Sequence, residues 1–184
     1  MKKSSIAMVT ALLVGSATAP AFAADGSITF NGEILDSTCT VTGGAGTDGG
    51  VKDLTVTLPT IQKAALAAAN QVAGETPFTI VIGGAGQTGC VNGKTAKLWW
   101  EQSGSDIDTA TGRLKNNGGS ATNVQIDVKN SAGASINFAT NANPSTAVIA
   151  GNTATLNYAA QYYATAAATA GTVTSKVIYS VAYN

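Results

Sequence analysis

The most constraining feature of the sequence is a short alternating stretch near its start, residues 24–35. Ile28, Phe30 and Ile34 fall on one face at a period of two, with Gly32 in register between them, and the intervening side chains are polar. This pattern predicts a half-buried β-strand. Chain ends are usually disordered unless something holds them, and no turn signal joins this stretch to a following strand. The sequence therefore raises the question of which sheet receives the strand.

The residues before this stretch have the features of a secretory signal peptide. Lys2 and Lys3 provide the charged region, residues 6–14 the apolar run, and Ala-Phe-Ala at 21–23 the small residues before a cleavage point after residue 23. Cleavage would leave 184 − 23 = 161 residues, with 10 − 2 = 8 basic against 10 acidic side chains. We expect a single exported domain. The absence of a basic patch argues against nucleic-acid binding.

The sequence contains two cysteines, Cys39 and Cys90. In an exported chain such a pair predicts one disulfide. The two positions are 90 − 39 = 51 residues apart, and the chain-entropy treatment assigns about 4 kcal/mol to a loop of that size. We interpret the pair as a structural bond rather than a redox motif, which would have closer cysteines.

The remainder of the chain alternates between short strand patterns and turn signals. The strand patterns are residues 36–41, 51–58, 78–82, 97–101, 121–129, 135–138 and 153–164. Ile61 to Asn70 is the one expected helix, and its alanine-rich run is marginal by itself. Many short strands without a long helix predict an all-β protein, an antiparallel β-sandwich.

The last strand pattern, Gly171 to Asn184, places six side chains on one face: Val173, Ser175, Val177, Tyr179, Val181 and Tyr183. Because the sequence stops one residue later, we expect an Ig-like sandwich that lacks its final strand and leaves an apolar groove beside an unpaired edge. The strand at 24–35 of one subunit could complete the sheet of the next by strand addition. Such a head-to-tail contact need not close, so it would build a filament.

With these features the chain resembles the chaperone–usher pilins, specifically a major subunit like that of type 1 fimbriae. The resemblance covers essentially the whole mature chain. Its motifs are Gly26-Ser-Ile-Thr-Phe-Asn-Gly-Glu-Ile34, Cys39-Thr-Val41, Leu58-Pro-Thr60, Thr76-Pro-Phe-Thr-Ile80, Cys90, Gln161-Tyr-Tyr-Ala-Thr165 and Ala170-Gly-Thr-Val173. The family's C-terminal signature pairs a penultimate tyrosine with a glycine fourteenth from the end, which are Tyr183 and Gly171 here.

The resemblance implies an incomplete Ig-like antiparallel β-sandwich, with a signal peptide at 1–23, a donor strand at 24–35 and the pilin domain at 36–184. It implies a structural subunit of a bacterial surface fimbria that supports cell adhesion and polymerises by donor-strand exchange. The implied partners are copies of itself, a periplasmic chaperone, an outer-membrane usher and a tip adhesin. The implied donor residues are Ile28, Phe30, Gly32 and Ile34. The implied groove strand carries Gly171, Val173, Val177, Tyr179, Val181 and Tyr183.

Other functions have weaker support in the sequence. Trp99 and Trp100 suggest a sugar platform, and so a carbohydrate-binding tip adhesin or minor subunit, although in a strand one of them would point inward. Gly84 to Gly89 fits GxGxxG, but no helix follows to present its N-terminus to a phosphate.

Asp106 and Asp108 are expected in a solvated turn rather than in a calcium site. The chain has no histidine and no visible acid–base pair, so we predict no catalytic residue, metal site or cofactor, and no enzyme activity.

Overall fold

The computed structural model describes residues 39–184. The predicted signal peptide and the donor stretch with Ile28, Phe30, Gly32 and Ile34 lie outside the described residues. Within the described part there are eight strands and one short 3-10 helix, Lys63–Leu66. The strands are β1 (Val41–Gly43), β2 (Val72–Gly83), β3 (Thr95–Glu101), β4 (Leu114–Lys115), β5 (Val124–Asn130), β6 (Thr146–Val148), β7 (Thr153–Ala164) and β8 (Ile178–Tyr183).

The described strands form two antiparallel sheets. One has the order β1-β2-β7-β5-β4 and the other the order β6-β3-β8. The longest pairing joins β2 to β7, from Val72 opposite Tyr163 to Gly83 opposite Thr153, with an irregularity between Ala73 and Thr76. Two antiparallel sheets that cover one core confirm the predicted β-sandwich.

The core consists of the alternate side chains that each strand turns inward. Ile80 and Ile82 of β2 are buried, as are Leu98 and Trp100 of β3. The Trp100 ring lies 4.9 Å from the ring of Phe138 in an edge-to-face arrangement. Because the period is two on both sheets, the side chains between them meet in one layer. One continuous cluster therefore joins the two sheets.

The predicted disulfide is confirmed. Cys39 and Cys90 are bonded, with 4.7 Å between their Cα atoms. The bond ties the residues just before β1 to the turn that follows β2. Gly83 at the end of β2 has a φ of +81°, and a Cβ there would lie 2.6 Å from the Cys90 sulfur. A glycine is therefore needed where the strand approaches the disulfide.

The predicted helix over Ile61 to Asn70 is largely wrong. Only Lys63–Leu66 is helical, as one 3-10 turn, and Asn70 has a φ of +69°. A run of this length forms too few hydrogen bonds to offset helix nucleation. The turn persists because Leu66 is buried against Ala121, Val124 and Ala164. In the described range 39–184, no helix is long and apolar enough to span a membrane.

Two further strand predictions are wrong in detail. Residues 135–138 make only isolated bridges, Ser135 to Lys129 and Asn137 to Ala142, although Ile136 and Phe138 are buried as core residues. Residues 51–58 contain one isolated bridge at Val51 and no ladder. Residues 51–58 lack a neighbouring backbone over most of their length, and extended chain is assigned as a strand only when a second backbone pairs with it. Residues 135–138 lie beside β5, where the Ile136 N–H donates to the Val128 carbonyl at 2.7 Å, but the pairing is too short to form a ladder.

Candidate functional site

The candidate site is a groove between two extended segments that do not pair with each other. We call residues 54–58 the first rim and residues 172–178 the second rim. The second rim leads directly into β8, which begins at Ile178. Both segments line one cavity of about 940 Å³, whose floor includes Phe78, Trp100 and Ile126 from the two sheets.

The rims turn their apolar side chains inward. On the first rim, Leu54, Val56 and Leu58 are half-buried against the core, while Thr55 and Thr57 are exposed. On the second rim and β8, the half-buried side chains are Val173, Ser175, Val177, Tyr179, Val181 and Tyr183. The predicted period of two is therefore present on both sides of the groove.

The backbone of the second rim is bonded on one side only. Its even-numbered residues donate N–H groups to side chains of the segment 105–120: Thr172 to Ser120 Oγ (3.1 Å), Thr174 to Asn116 Oδ1 (2.8 Å), Lys176 to Asp106 Oδ2 (2.7 Å) and Ile178 to Ser105 Oγ (2.8 Å). In extended chain, neighbouring residues direct their N–H and C=O groups to opposite edges. Val173, Ser175 and Val177 therefore direct theirs into the groove. Within residues 39–184 these groups have no backbone partner.

The open edge continues along β8. Thr95 and Asn184 exchange both backbone hydrogen bonds, at 2.9 and 3.0 Å. The backbone N–H and C=O groups of the even-numbered residues are thus directed toward β3, and β8 is the edge strand of its three-stranded sheet. The opposite edge, on the side of the odd-numbered residues, runs along the groove as far as Val181.

The first rim has the same arrangement. The Thr55 N–H donates to Asp48 Oδ1 at 3.0 Å, and the Asp48 N–H donates to the Thr55 carbonyl at 3.0 Å. Thr55 is therefore bonded on the side away from the groove. Leu54, Val56 and Leu58 direct their backbone groups into it, where residues 39–184 offer them no backbone partner.

One hydrogen bond connects the two sides of the groove at the β8 end. The Tyr179 hydroxyl donates to the Lys52 carbonyl at 2.6 Å. Burial, with a smaller contribution from the negative charge of Asp53, raises the pKa of Tyr179 above its usual value. The phenol is thus held neutral, as a donor must be.

Gly171 lies at the start of the second rim, where two backbones come close. A Cβ at this position would lie 2.5 Å from the Ala121 nitrogen and 2.6 Å from Ser120 Oγ. Only glycine permits this approach, which lets the Ala121 N–H donate to the Thr172 carbonyl at 3.0 Å. The residue matched to the family signature therefore fixes where the second rim begins.

Of the residues predicted for the groove strand, Val173, Val177, Tyr179 and Val181 line the cavity. Gly171 and Tyr183 lie on the same segment, one before and one after these residues, and do not line it. Sequence reasoning missed the opposite wall, Leu54, Val56 and Leu58, because it assigned 51–58 to an ordinary strand. The signal was available in the same alternation, followed by Pro59 and without a hairpin turn to a partner. It also missed Asp48 and Lys52, whose roles depend on loop geometry.

The other predicted features do not form a second site. Trp100 is buried and Trp99 is 47 % exposed, as expected for neighbours in a strand, so Trp100 cannot stack on a sugar. Asp106 and Asp108 bond to backbone and amide groups, and no metal-binding group of acidic or cysteine side chains occurs in the described residues. Gly84 to Gly89 forms turns after β2, with no helix following.

Comparison with known proteins identifies the family. The family model described as "Type-1 fimbrial protein, A" matches residues 58–184. This chain belongs to the type-1 fimbrial protein family. The fimbrial chain is 44 % identical over 183 residues to the major fimbrial subunit SMF-1 of Stenotrophomonas maltophilia, covering 94 % of this chain and 100 % of the relative. It is 38 % identical over 183 residues to the F17 fimbrial protein of Escherichia coli, covering 97 % and 98 %.

Solved structures show the same fold for this fimbrial protein. A chain from a chaperone–usher pilus structure matches with a TM-score of 0.57 at 21 % identity, covering 90 % of this chain and 100 % of that one. The P pilus rod subunit PapA matches with a TM-score of 0.54 at 18 % identity, covering 80 % and 100 %. The Ig-like pilin fold is therefore confirmed, and with the curated relatives it makes this chain a structural subunit of a fimbria, exported to the bacterial surface.

Proposed function

We propose that this fimbrial subunit polymerises head to tail by donor-strand exchange, with residues 24–35 of one subunit filling the groove of the next. Before assembly, a periplasmic chaperone lends a strand to the same groove, and an outer-membrane usher is the place where the exchange occurs. The donor side chains are Ile28, Phe30 and Ile34, with Gly32 between them.

The observation that supports this proposal is the pair of rims. Each rim turns apolar side chains to the core and leaves alternate backbone groups directed into the groove without a partner in residues 39–184. A buried and unbonded backbone group costs free energy comparable to a lost hydrogen bond. A strand inserted between the rims satisfies both edges at once, which a compact ligand does not.

The donor stretch has the complementary pattern. Its large side chains repeat at the period of the rims, and burying each one contributes on the order of 1.5–3 kcal/mol. Main-chain bonds to both rims add specificity for an extended segment. Gly32 leaves room at one inward position, so that a tight part of the groove can accept the backbone.

The decisive experiment removes the donor. Deleting residues 24–35, while keeping the signal peptide, should give a subunit that still reaches the periplasm and binds its chaperone but builds no fibre. Electron microscopy of sheared surface material and pull-down of the subunit measure the two outcomes. Fibres of normal length from the truncated chain would contradict the proposal.

A matched pair of substitutions keeps the chain length constant. Gly32→Leu adds a bulky side chain on the inward face and should block or slow assembly. Thr29→Ala changes the opposite face and should leave assembly unchanged. Equal assembly of the two variants would contradict insertion of the face that carries Gly32 into the groove.

A further inference from the structure

Two aspartates outside the groove make the same pair of hydrogen bonds, one on each rim. Asp106 donates its N–H to the Lys176 carbonyl at 2.8 Å and accepts the Lys176 N–H on Oδ2 at 2.7 Å. Asp48 does the same with Thr55, at 3.0 Å for both bonds. In each case a single aspartate occupies both backbone groups of one rim residue, as a neighbouring strand would.

We propose that Asp48 and Asp106 are positioning residues that hold the two rims extended and in place for the incoming strand. The inference deepens the proposed donor-strand function and rests on it. Neither aspartate lines the groove. Both act through the rim residue that they bind.

The physical effect of each aspartate is to close the outer edge of its rim. An open strand edge can pair with any extended chain that approaches it. With Thr55 and Lys176 occupied on the outer side, strand addition is left to the groove side. A carboxylate accepts an N–H more strongly than a neutral group does, so these are bonds suited to holding a segment that has no neighbouring strand.

Each aspartate is itself held by its loop. Asp48 Oδ1 also accepts the Gly50 N–H at 3.1 Å, and Asp106 Oδ1 accepts the side-chain amide of Asn117 at 2.7 Å. The Asn117 N–H in turn donates to the Thr174 carbonyl at 3.0 Å. The loop around Asp106 thus binds the second rim at consecutive even-numbered residues, whereas the first rim depends on Asp48 at Thr55.

Asp108 provides a matched control. It lies in the same loop as Asp106 and also accepts hydrogen bonds, from the Ala110 N–H at 3.0 Å and the Gln125 amide at 2.6 Å. None of its bonds reaches a rim. Replacing it removes a loop carboxylate of the same kind without changing the groove.

The test compares fibre growth by the full mature chain for Asp48→Ala, Asp106→Ala and Asp108→Ala, together with hydrogen exchange of the rim amides in the subunit. We expect fibre growth to slow about tenfold in the first two variants, the loss associated with one charge-assisted bond. The Thr55 amide should exchange faster in Asp48→Ala and the Lys176 amide faster in Asp106→Ala, because these are the rim N–H groups that the two carboxylates accept. The Asn variants keep an acceptor oxygen but lose the charge, so their growth rate and rim exchange should lie between those of the alanine variants and those of Asp108→Asn. Asp108→Ala should match the wild type in growth and in rim exchange.

Growth and rim exchange in Asp48→Ala and Asp106→Ala equal to those of Asp108→Ala would overturn the inference. If the alanine variants do not fold, Asp48→Asn and Asp106→Asn are compared with Asp108→Asn by rim exchange alone, and equal exchange overturns it likewise. The variant lacking residues 24–35 is measured in parallel. If that variant grows fibres, the donor-strand function fails, whereas normal growth of the aspartate variants alone refutes only the positioning role.

Discussion

The β2–β7 ladder and the groove have the same alternating sequence pattern, but the ladder strands are paired and buried whereas the groove rims are unpaired and half-buried. In the ladder, Ile80 of β2 lies opposite Leu156 of β7, and both are buried. In the groove, Val56 and Val177 alternate with polar residues in the same way but remain half-buried. The ladder has a second backbone in the same chain, and the rims have none in residues 39–184. The same side-chain pattern thus produces a closed core in one region and an open groove in the other.

This difference separates stability from assembly. Substitutions in the ladder should act on folding, because their contacts are complete within the subunit. Under the proposed donor-strand exchange, substitutions in the groove should act mainly on the strength of the subunit–subunit contact, because the inserted strand would complete the contacts of the half-buried rim side chains. The following predictions test that separation, beginning with the largest expected effect.

Leu156→Ala should lower the free energy of unfolding by about 2–5 kcal/mol, the usual range for a buried leucine. Leu156 is fully buried, so the substitution leaves a cavity that only repacking of the surrounding side chains can fill. Denaturant unfolding of the purified subunit measures the loss, and the exposed Thr155→Ala is the control. A loss of stability as small as that of the control would mean that the contacts of the β2–β7 ladder are not complete within the subunit.

Val177→Ala should weaken the contact between subunits by about 1–2 kcal/mol, since it removes two methyl-sized groups from the groove wall. Its effect on the unfolding of the subunit should be smaller, because Val177 is only half-buried before assembly. The denaturant midpoint for fibre dissociation, compared with that of Lys176→Ala, reports the change. An effect confined to subunit unfolding would remove the distinction between groove and ladder.

Tyr179→Phe should cost about 1 kcal/mol through loss of the hydrogen bond to the Lys52 carbonyl. The raised pKa gives this contribution a pH dependence. A group whose folded-state pKa is raised stabilises the fold below its unfolded-state pKa, here 10.0, and loses that effect as pH rises further. Stability measured between about pH 8 and about pH 11, a range that brackets the usual pKa of tyrosine, should therefore fall less in the phenylalanine variant than in the wild type.

The smallest expected effect concerns Asp48 in acid. Backbone hydrogen bonds from Thr55 and Gly50 hold the pKa of Asp48 below its usual 3.8. A depressed carboxyl pKa stabilises the fold above 3.8 and the effect is lost as pH falls through the lowered value. The protection of the Thr55 amide, meaning its exchange rate relative to that of an unstructured amide at the same pH, should consequently fall below pH 3.8 in the wild type, and less so in Asp48→Asn. Parallel profiles for the two proteins would contradict the contribution of Asp48 to the first rim.

Most of the fold could be predicted because it depends on local alternation. The period of two in residues 153–164 gave β7 with its observed bounds, and the inward face of residues 173–183 is as expected. The cysteine pairing could be predicted because the chain contains two cysteines, and in an exported protein these are expected to form one disulfide. These features are properties of the sequence itself and need no knowledge of neighbouring segments.

The errors occur where a segment depends on a partner or on loop geometry. Residues 51–58 have a strand pattern but no ladder, because pattern alone does not reveal whether a second backbone is present. Ile61 to Asn70 has helical composition, yet burial of Leu66 selects a single 3-10 turn. Asp106 was expected in a solvated turn, and its pairing with Lys176 joins positions 176 − 106 = 70 residues apart. No short-range pattern indicates such a contact.

The central claim is that the strand in each groove comes from another subunit, and one cross-linking measurement tests it directly. Fibres are grown from equal amounts of light and ¹⁵N-labelled subunits in which Phe30 is replaced by the photoreactive p-benzoylphenylalanine. After irradiation, we expect mass spectrometry to find residues 24–35 joined to the groove wall, at 54–58 or 173–181, with about half of the cross-linked pairs mixing light and heavy chains, as random intermolecular pairing requires. Cross-links only within single chains, or cross-links that avoid the groove, would contradict the account.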